Sequence, residues 1–350
     1  MTSIHDVAEA TGVSTATVSR ALRGLPNVSP RTRERVRAAA TQLGYVPSPS
    51  ASGLSGGRHH AVAIVIPSTA RWFYVTVVEG VDSVLRRENY DTFLVILAAT
   101  ATERERLFNN ALLRKRADAV IALGIDFTAE ERRELRTVGM PAIVVGSPVR
   151  GVRSVGIDDR AAGKLAMDHL LALGHRRIGH LGGETEWGMD HSVGQDRSQA
   201  WRNALRSADI EPEPHWYAVG GFLMPPAKVA ALEMLRSARR PTAIFAGSDE
   251  MAFGAMLAAA ELGLRVPEDL SVIGIDDHDW SESFGLTTVR QDPREQGRVA
   301  ARSVVDELSG AHEVTDRVTT AEVSLVVRRS TAPPRFQSDT HDGGGGRLVG

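Results

Sequence analysis

Carboxylates follow several apolar, β-branched runs in this chain, at positions that could bind a hydroxylated small molecule. Asp249 follows the run 242–248, and Asp276 ends the run 270–276. Ligands of open α/β sheets bind beyond the carboxyl ends of the strands. A carboxylate at such a position accepts paired hydrogen bonds from neighbouring hydroxyl groups. The pattern therefore predicts a site for a polyol.

Aromatic residues cluster after the first apolar run, at 62–66. Trp72, Phe73 and Tyr74 are adjacent in a chain that is only 5% aromatic, and Phe222 follows a later run. An aromatic face stacks well on the C–H side of a sugar ring or on a planar base. The alternative is that these rings pack between two halves of the protein. We predict that at least one of the three adjacent rings contacts a ligand.

The sequence gives little support for catalysis. The adjacent carboxylates Asp158-Asp159 and Asp276-Asp277 do not flank a substrate bond as a hydrolase requires. We expect Asp159 and Asp277 to be helix N-caps instead. The 11 His residues lack compact metal-ligand spacing. There is no dinucleotide fingerprint and no phosphate-binding P-loop, so we predict no enzyme activity, no metal and no cofactor.

From residue 61 onward, short apolar runs alternate with helical patterns. The runs predict strands at 62–66, 92–98, 118–124, 142–146, 177–183, 216–221, 242–248, 270–276 and 321–329. Helices are predicted at 75–89, 103–116, 128–138, 160–173, 195–208, 226–239, 249–263 and 293–309. Continuous apolar strands that alternate with helices predict parallel sheets covered on both faces. Because the pattern restarts near residue 177, we predict an α/β fold with two lobes and a cleft between them.

The first sixty residues carry a different pattern, in which two short helices are joined by a tight turn. Apolar residues at 4, 7 and 8 share one helical face, and Gly12 can take the positive φ that ends a helix. Ser14 is suited to cap the next helix, and Val18 and Leu22 can pack that helix on the first. This arrangement predicts a helix-turn-helix, whose second helix enters the DNA major groove. An ordinary helical bundle is the alternative.

A third helix and the local charge favour the DNA-binding interpretation. Ser29-Pro30 predicts the start of a helix over 31–43, which carries four Arg and which Gly44 ends. Residues 1–60 contain seven Arg, no Lys and three acidic residues, a net charge of +4. The whole chain carries −2, so the remaining residues carry −6. A small basic head on an acidic body is typical of a protein whose head meets DNA phosphates.

These residues closely resemble the headpiece of the lactose-repressor family of bacterial transcription regulators. The match is dense and ordered: IHDVA at 4–8, GVS at 12–14, TVSR at 17–20, VS at 28–29, TR at 32–33 and LGYVP at 43–47. The resemblance implies that Thr15, Ala16 and Arg20 face bases. Arg can bond guanine O6 and N7, whereas Thr and Ala offer methyl groups to thymine. Further DNA contacts are expected from Ser14, Thr17, Ser19, Asn27, Ser29, Arg33 and Tyr45.

The resemblance continues to residue 329 and implies an effector site in the cleft of a two-lobed core like that of periplasmic binding proteins. Arg197 matches the family arginine that binds effector hydroxyls or a carboxylate, and Asp276 matches the aspartate on the opposite wall. Phe73, Phe222 and Asp249 match further effector positions. With the two neighbouring aromatics, the predicted effector-binding set is Trp72, Phe73, Tyr74, Arg197, Phe222, Asp249 and Asp276.

Two departures from the family pattern bear on the effector. Gly146-Ser147 stands where many sugar-binding members carry Asp. The arginine that purine-binding relatives place near His191 is absent. Together these departures favour a neutral saccharide over a purine.

The resemblance also divides the chain. The headpiece spans 1–45, and a hinge at 46–60 is expected to fold on DNA, with Leu54 levered into the minor groove and Ala51 beside it. Ser50, Ser52 and Gly53 make this hinge a weak helix. The core spans 61–329, with lobe 1 at about 61–159 and 291–320 and lobe 2 at about 160–290 and 321–329. Residues 330–350 are predicted to form a disordered tail.

The predicted function is a homodimeric, ligand-controlled regulator that binds a palindromic operator in double-stranded DNA and represses genes for carbohydrate uptake or breakdown. The alternatives are a solute-binding protein of a sugar transport system and a sugar-processing enzyme. The chain has no Cys, its first residues lack the features of a signal peptide, and no stretch approaches 18 apolar residues. We therefore expect a cytoplasmic location and no contact with a membrane.

Overall fold

The computed structural model describes residues 2–22, 24–45, 59–97, 116–125, 127–149, 151–183, 191–311 and 318–335. Within these ranges it shows a three-helix headpiece and two lobes, each built on a six-stranded sheet. The predicted fold class is confirmed. Most of the predicted hinge, with Ala51 and Leu54, and nearly all of the predicted helix at 103–116 lie outside the described residues.

Three helices form the headpiece: α1 (Ile4–Thr11), α2 (Thr15–Leu22) and α3 (Pro30–Gln42). Gly12 ends α1 with a φ of 64°, a left-handed conformation that would strain a residue with a side chain. Val7, Val18 and Val36, one from each helix, are fully buried in a shared core. The core holds α2 by one face and leaves its other face exposed.

Lobe 1 surrounds a parallel sheet. Its strands are β1 (Ala61–Ile66), β2 (Asp91–Ile96), β3 (Ala119–Leu123), β4 (Ala142–Val145), β5 (Arg153–Gly156) and β11 (Val318–Thr320). Its described helices are α4 (Trp72–Leu85), α5 (Ala129–Val138) and α11 (Pro293–Ser309). The strand order is β11-β5-β4-β3-β1-β2. Apolar clusters cover both faces of the central strands, as continuous apolar runs require.

Lobe 2 repeats this plan. Its strands are β6 (Ile178–Gly182), β7 (Tyr217–Val219), β8 (Ala243–Ala246), β9 (Ser271–Asp276), β10 (Thr287–Arg290) and β12 (Ser324–Val326). Its helices are α6 (Asp159–Ala172), α7 (His191–Ser207), α8 (Met224–Leu235), α9 (Asp249–Glu261) and α10 (Ser281–Phe284), with a 3₁₀ turn at Pro214–Trp216. The strand order is β12-β10-β9-β8-β6-β7, and β12 runs antiparallel to β10.

The chain passes between the lobes three times, after β5, after β10 and after β11. The helix α11 therefore packs on α4 in lobe 1, although it follows a strand of lobe 2. No helix within the described ranges is long and apolar enough to cross a membrane.

The start of the predicted tail is ordered against lobe 2. Ser330 is 1% exposed, its hydroxyl donates to the Val272 carbonyl, and it accepts from the Thr287 N–H at 2.8 Å. The Ala332 N–H donates to the Ser271 hydroxyl at 3.0 Å. The prediction of disorder is thus wrong for 330–335, because this segment satisfies polar groups at the ends of β9 and β10. Residues 336–350 lie outside the described ranges.

Candidate functional site

The exposed face of α2 is the candidate DNA interface. The Ser14 hydroxyl caps the helix by accepting from the Thr17 N–H at 3.2 Å. Val18 and Ala21 are buried in the headpiece core, whereas Ala16 and Arg20 are exposed and Thr15 is half-buried. Ala16 and Arg20 are four residues apart, so they share one face of the helix. Within the described residues, the Arg20 guanidinium makes no hydrogen bond or ion pair, which leaves its donors available to DNA.

The other predicted DNA contacts have visible structural roles in the headpiece. The Ser29 hydroxyl caps α3 by accepting from the Thr32 N–H at 3.1 Å. Arg33 donates to the Leu25 carbonyl at 2.8 Å, and Tyr45 packs against the headpiece core. Asn27, Ser29 and Tyr45 keep some exposure, as do Thr17, Ser19 and Arg33. Thr17 and Ser19 lie on α2 itself, and contact with DNA by these six residues stays a prediction.

A cavity of about 550 Å³, partly open to solvent, lies between the lobes. Five of the seven predicted effector residues line it: Phe73, Tyr74, Arg197, Phe222 and Asp276. The wall of lobe 1 also includes the glycines that follow β3 and β4. Part of this volume is open solvent. We call this space the effector cavity.

Asp276 supplies a buried carboxylate at the end of β9. It is 5% exposed, and its φ of 138° is a strained conformation for a residue other than glycine. Gln291 donates to Asp276 Oδ1 at 2.7 Å and accepts from Gln296 at 2.8 Å, so two cavity-lining amides hold the carboxylate in place. Burial raises the pKa of Asp276, and the charge of Arg197 opposes this rise.

Arg197 is already engaged within the protein. Its Nε and Nη2 lie 2.8 and 2.7 Å from Asp159 Oδ1, and Nη1 donates to the Gly247 carbonyl. Both side chains of this ion pair are buried and line the cavity. Asp159 was expected to be an N-cap, but Asp158 caps α6 by accepting from the Ala161 N–H at 2.9 Å. That prediction for Asp159 is therefore wrong, and sequence reasoning missed its place in the site.

The neighbouring pair also differs from the prediction. Asp277 is not a helix cap, because its two carboxylate oxygens bind Arg290 and Arg328, each at 2.6 Å. Asp277 is absent from the cavity lining, so only the first residue of the pair faces the cavity.

The ring of Phe222 packs directly against Gly183. A Cβ at Gly183 would lie 2.0 Å from the Phe222 ring, which no side chain could tolerate. Phe222 itself has a φ of 57° and is 2% exposed. Backbone strain at a non-glycine residue is a known feature of ligand sites, where the surrounding structure enforces it.

Two predicted effector residues lie elsewhere. The Trp72 indole N–H donates to Asp279 Oδ2 at 2.9 Å, and its ring lies 4.6 Å from that of His278. Trp72 therefore packs between the two lobes, as the alternative to ligand contact predicted. Asp249 is fully buried beneath the cavity and accepts from the hydroxyls of Ser281 and Thr288, both at 2.6 Å. Neither residue lines the cavity, and effector contact by Trp72 and Asp249 stays a prediction.

Sequence reasoning also missed three further polar residues that line the cavity, Arg71, Gln291 and Gln296. Arg71 adjoins the aromatic run, so the same end-of-strand argument could have found it. Gln291 follows β10, a strand that was not predicted because its sequence, TTVR, is short and polar. Gln296 lies on α11, and no local signal shows that this helix returns to lobe 1.

The carboxyl of Glu250 predicts a pH dependence of stability. Burial raises its pKa from 4.5 to about 7, although the charge of Arg71 opposes the rise. The native state then binds a proton that the unfolded state releases between these values, so stability falls as the pH rises from 4.5 to about 7. We expect the fall in melting temperature over this range to be smaller in Glu250→Gln. The exposed Glu282→Gln is the control, and equal pH profiles for all three proteins would contradict the prediction.

Comparison with known proteins agrees with this architecture. Residues 3–48 match the family model described as "Bacterial regulatory proteins, lacI family", and residues 167–331 match "Periplasmic binding protein-like domain". The chain is 33% identical over 339 residues to the transcriptional repressor CytR of Escherichia coli K12, covering 94% of this chain and 96% of CytR.

Two solved structures show the same arrangement. A complex of the regulator CelR with cellobiose is 32% identical, with a TM-score of 0.69, covering 94% of this chain and all of that one. The lac repressor dimer bound to operator and the anti-inducer ONPF is 28% identical, with a TM-score of 0.81, covering 95% of this chain and 99% of that one. A helix-turn-helix headpiece on a two-lobed core with an effector cavity defines a ligand-responsive transcriptional regulator. The chain belongs to the lacI family of bacterial regulatory proteins.

Proposed function

We propose that this protein is a homodimeric repressor whose affinity for a palindromic operator changes when a carbohydrate occupies the effector cavity. The observation that carries the proposal is the presence, in one chain, of an exposed face on α2 and a cavity between two lobes that is lined by charged, amide and aromatic side chains. The lac repressor is similar over nearly its whole length, and its dimer binds operator in the solved structure. The cavity joins carboxylate, amide and aromatic groups, which suits a hydroxylated ring.

A solute-binding transport protein and an enzyme remain the alternatives from other classes. The basic headpiece has no use in a transport protein, and the similar proteins are transcriptional regulators rather than enzymes. We infer that the chain has no catalytic activity and acts in the cytoplasm, where its operator lies. The test is DNA retardation by the full chain, which should disappear when residues 1–60 are deleted. Sequence-independent binding, or no binding, would favour one of the alternatives.

Specific contact with a base is expected from Arg20. Arg20→Ala should relax the preference at one base pair in each half-site and cost about 1–3 kcal/mol there, because a bidentate contact to guanine is lost. Selection of operators from a random DNA pool by the wild type and the variant measures this change. Arg86→Ala, an exposed arginine of lobe 1, is the matched control. Uniform weakening on all sequences would instead assign Arg20 to phosphate contact.

The role of the hinge stays a prediction, since Leu54 and Ala51 lie outside the described residues. We propose that the hinge segments of the two subunits in a dimer pair with each other only when the points at which they join the two first lobes are close. A ligand held between Phe73 of lobe 1 and Asp276 of lobe 2 would change the closure of the lobes and thereby this separation. Ligand binding can shift the equilibrium only through its different affinity for the two arrangements.

A further inference from the structure

Arg71 occupies an unusual position in the effector cavity. It directly precedes α4 and lines the cavity, with its guanidinium carbon 4.9 Å from the centre of the Tyr74 ring and 4.3 Å from that of Phe222. Tyr74 belongs to lobe 1 and Phe222 to lobe 2, so the cation is held between aromatic faces from both walls. Such stacking fixes the plane of the guanidinium while leaving its N–H groups free to bond in that plane.

Arg71 forms no close ion pair: among the described residues, no carboxylate oxygen lies within 4.0 Å of its nitrogens. Its charge acts at longer range on the carboxyls of Glu250 and Asp276. One of its donors, on Nη1, bonds the Tyr74 hydroxyl at 3.1 Å, whereas the buried Nε has no acceptor. An arginine carries five N–H donors and is never deprotonated in proteins, so most of its bonding capacity is unused here.

Arg197 gives the contrast within the same cavity. The guanidinium of Arg197 binds the Asp159 carboxylate and the Gly247 carbonyl, so its charge is already balanced. Asp276 is held by Gln291 and keeps a second carboxylate oxygen for a ligand hydroxyl. The cavity therefore offers one arginine without a close ion pair among the described residues, Arg71, and an acceptor of hydroxyl groups, Asp276. A neutral saccharide would satisfy the acceptor and leave the cation unpaired.

We propose that the effector is a monosaccharide-sized polyol that carries one anionic group, a carboxylate or a phosphate, bound by Arg71. Its hydroxyl groups donate to Asp276, and its apolar face lies against the aromatic side chains of the cavity. Guanidinium–carboxylate and guanidinium–phosphate pairs are both bidentate and strong. In each of them two N–H groups of the guanidinium donate to two oxygens of the anion. The inference rests on the proposed function and narrows its effector from any carbohydrate to an acidic one, in place of the neutral saccharide that the sequence favoured.

Matched pairs of probes test this inference on the full-length protein without DNA. D-glucose is compared with each of D-glucuronate, D-gluconate and glucose 6-phosphate, and D-galactose is compared with D-galacturonate. We expect at least one anionic member to raise the melting temperature while its neutral partner, at the same concentration, does not. The carboxylate and phosphate arms then distinguish the two sources of the anionic group.

Variants of Arg71 show whether this residue makes the contact. Titration calorimetry with the bound probe should show an affinity about 10- to 100-fold lower for Arg71→Gln, because a charged hydrogen-bonded pair is lost. Arg71→Lys should recover part of the loss, and Arg86→Gln should match the wild type. The two Arg71 variants should melt close to the wild-type temperature without probe, since Arg71 loses no close ion pair within the described part of the chain. Arg86→Gln loses only an exposed surface pair with Asp82 and should do the same.

The inference is overturned if a neutral sugar binds as well as its acidic partner, if no anionic probe binds, or if Arg71→Gln changes the affinity less than threefold. Operator selection by the wild-type protein separates this failure from that of the proposed function, because Arg71 lies outside the headpiece. If the protein selects an operator but responds only to neutral sugars, the proposed function as a regulator is supported and the proposal of an acidic effector is wrong.

Discussion

Asp249→Ala should lower the free energy of unfolding by roughly 3–5 kcal/mol, at about 1–3 kcal/mol for each buried donor left without an acceptor. Those donors are the hydroxyls of Ser281 and Thr288 and the His278 N–H, which lies 3.0 Å from Asp249 Oδ2. The total is less than the sum because burial and the Asp276 carboxylate raise the pKa of Asp249, and removing it relieves that repulsion. Chemical denaturation followed by circular dichroism measures the loss.

Two substitutions control this experiment. Asp249→Asn keeps one acceptor oxygen and should lose less stability than Asp249→Ala. The exposed Asp168, which pairs with Lys164 on the surface, should tolerate Asp168→Ala within about 0.5 kcal/mol. If Asp249→Ala keeps wild-type stability and instead abolishes ligand binding, Asp249 contacts the effector after all and the cavity extends deeper than the structure shows.

Asp276→Asn should abolish the ligand response while leaving operator affinity unchanged. The amide oxygen can still accept from Gln291, so the local structure is preserved. The variant loses the anionic acceptor for ligand hydroxyls, and charge-assisted hydrogen bonds of this kind contribute about 1.5–3 kcal/mol. We therefore expect an affinity about 10- to 100-fold lower for whichever probe raises the wild-type melting temperature. Operator retardation with increasing probe measures both properties in one titration.

The adjacent carboxylate provides the matched control for this change. Asp277→Asn makes the same chemical substitution one residue further on, outside the cavity, where the side chain binds Arg290 and Arg328. It should respond to the probe as the wild type does. A normal response in Asp276→Asn would move the effector site away from the end of β9. Loss of operator binding in Asp276→Asn would show that lobe 2 supports the DNA-bound arrangement even without ligand.

Local patterns were sufficient for the headpiece and for most of the secondary structure. A helix-turn-helix is built from contacts between residues close in sequence, such as Val7 with Val18, and from caps such as Gly12 and Ser14. The apolar strands were equally clear, because buried parallel strands are apolar on both faces. The strands β5, β10 and β11 were not predicted, because they are only three or four residues long and partly polar.

By itself, the sequence determined the two-part organisation, the fold class and five of the residues that line the effector cavity. Except for Arg197, which came from the family resemblance, each depends on short-range periodicity or on residues directly after an apolar strand, where the end of a parallel sheet binds ligands. Only the tertiary structure decided the partner of each side chain. It brought Asp159 to Arg197 across 38 positions, buried Asp249 under β10 and turned Trp72 toward Asp279. It also placed Arg71 between the aromatic rings of Tyr74 and Phe222, because contacts across the lobes depend on how the three chain crossings set the relative position of the lobes.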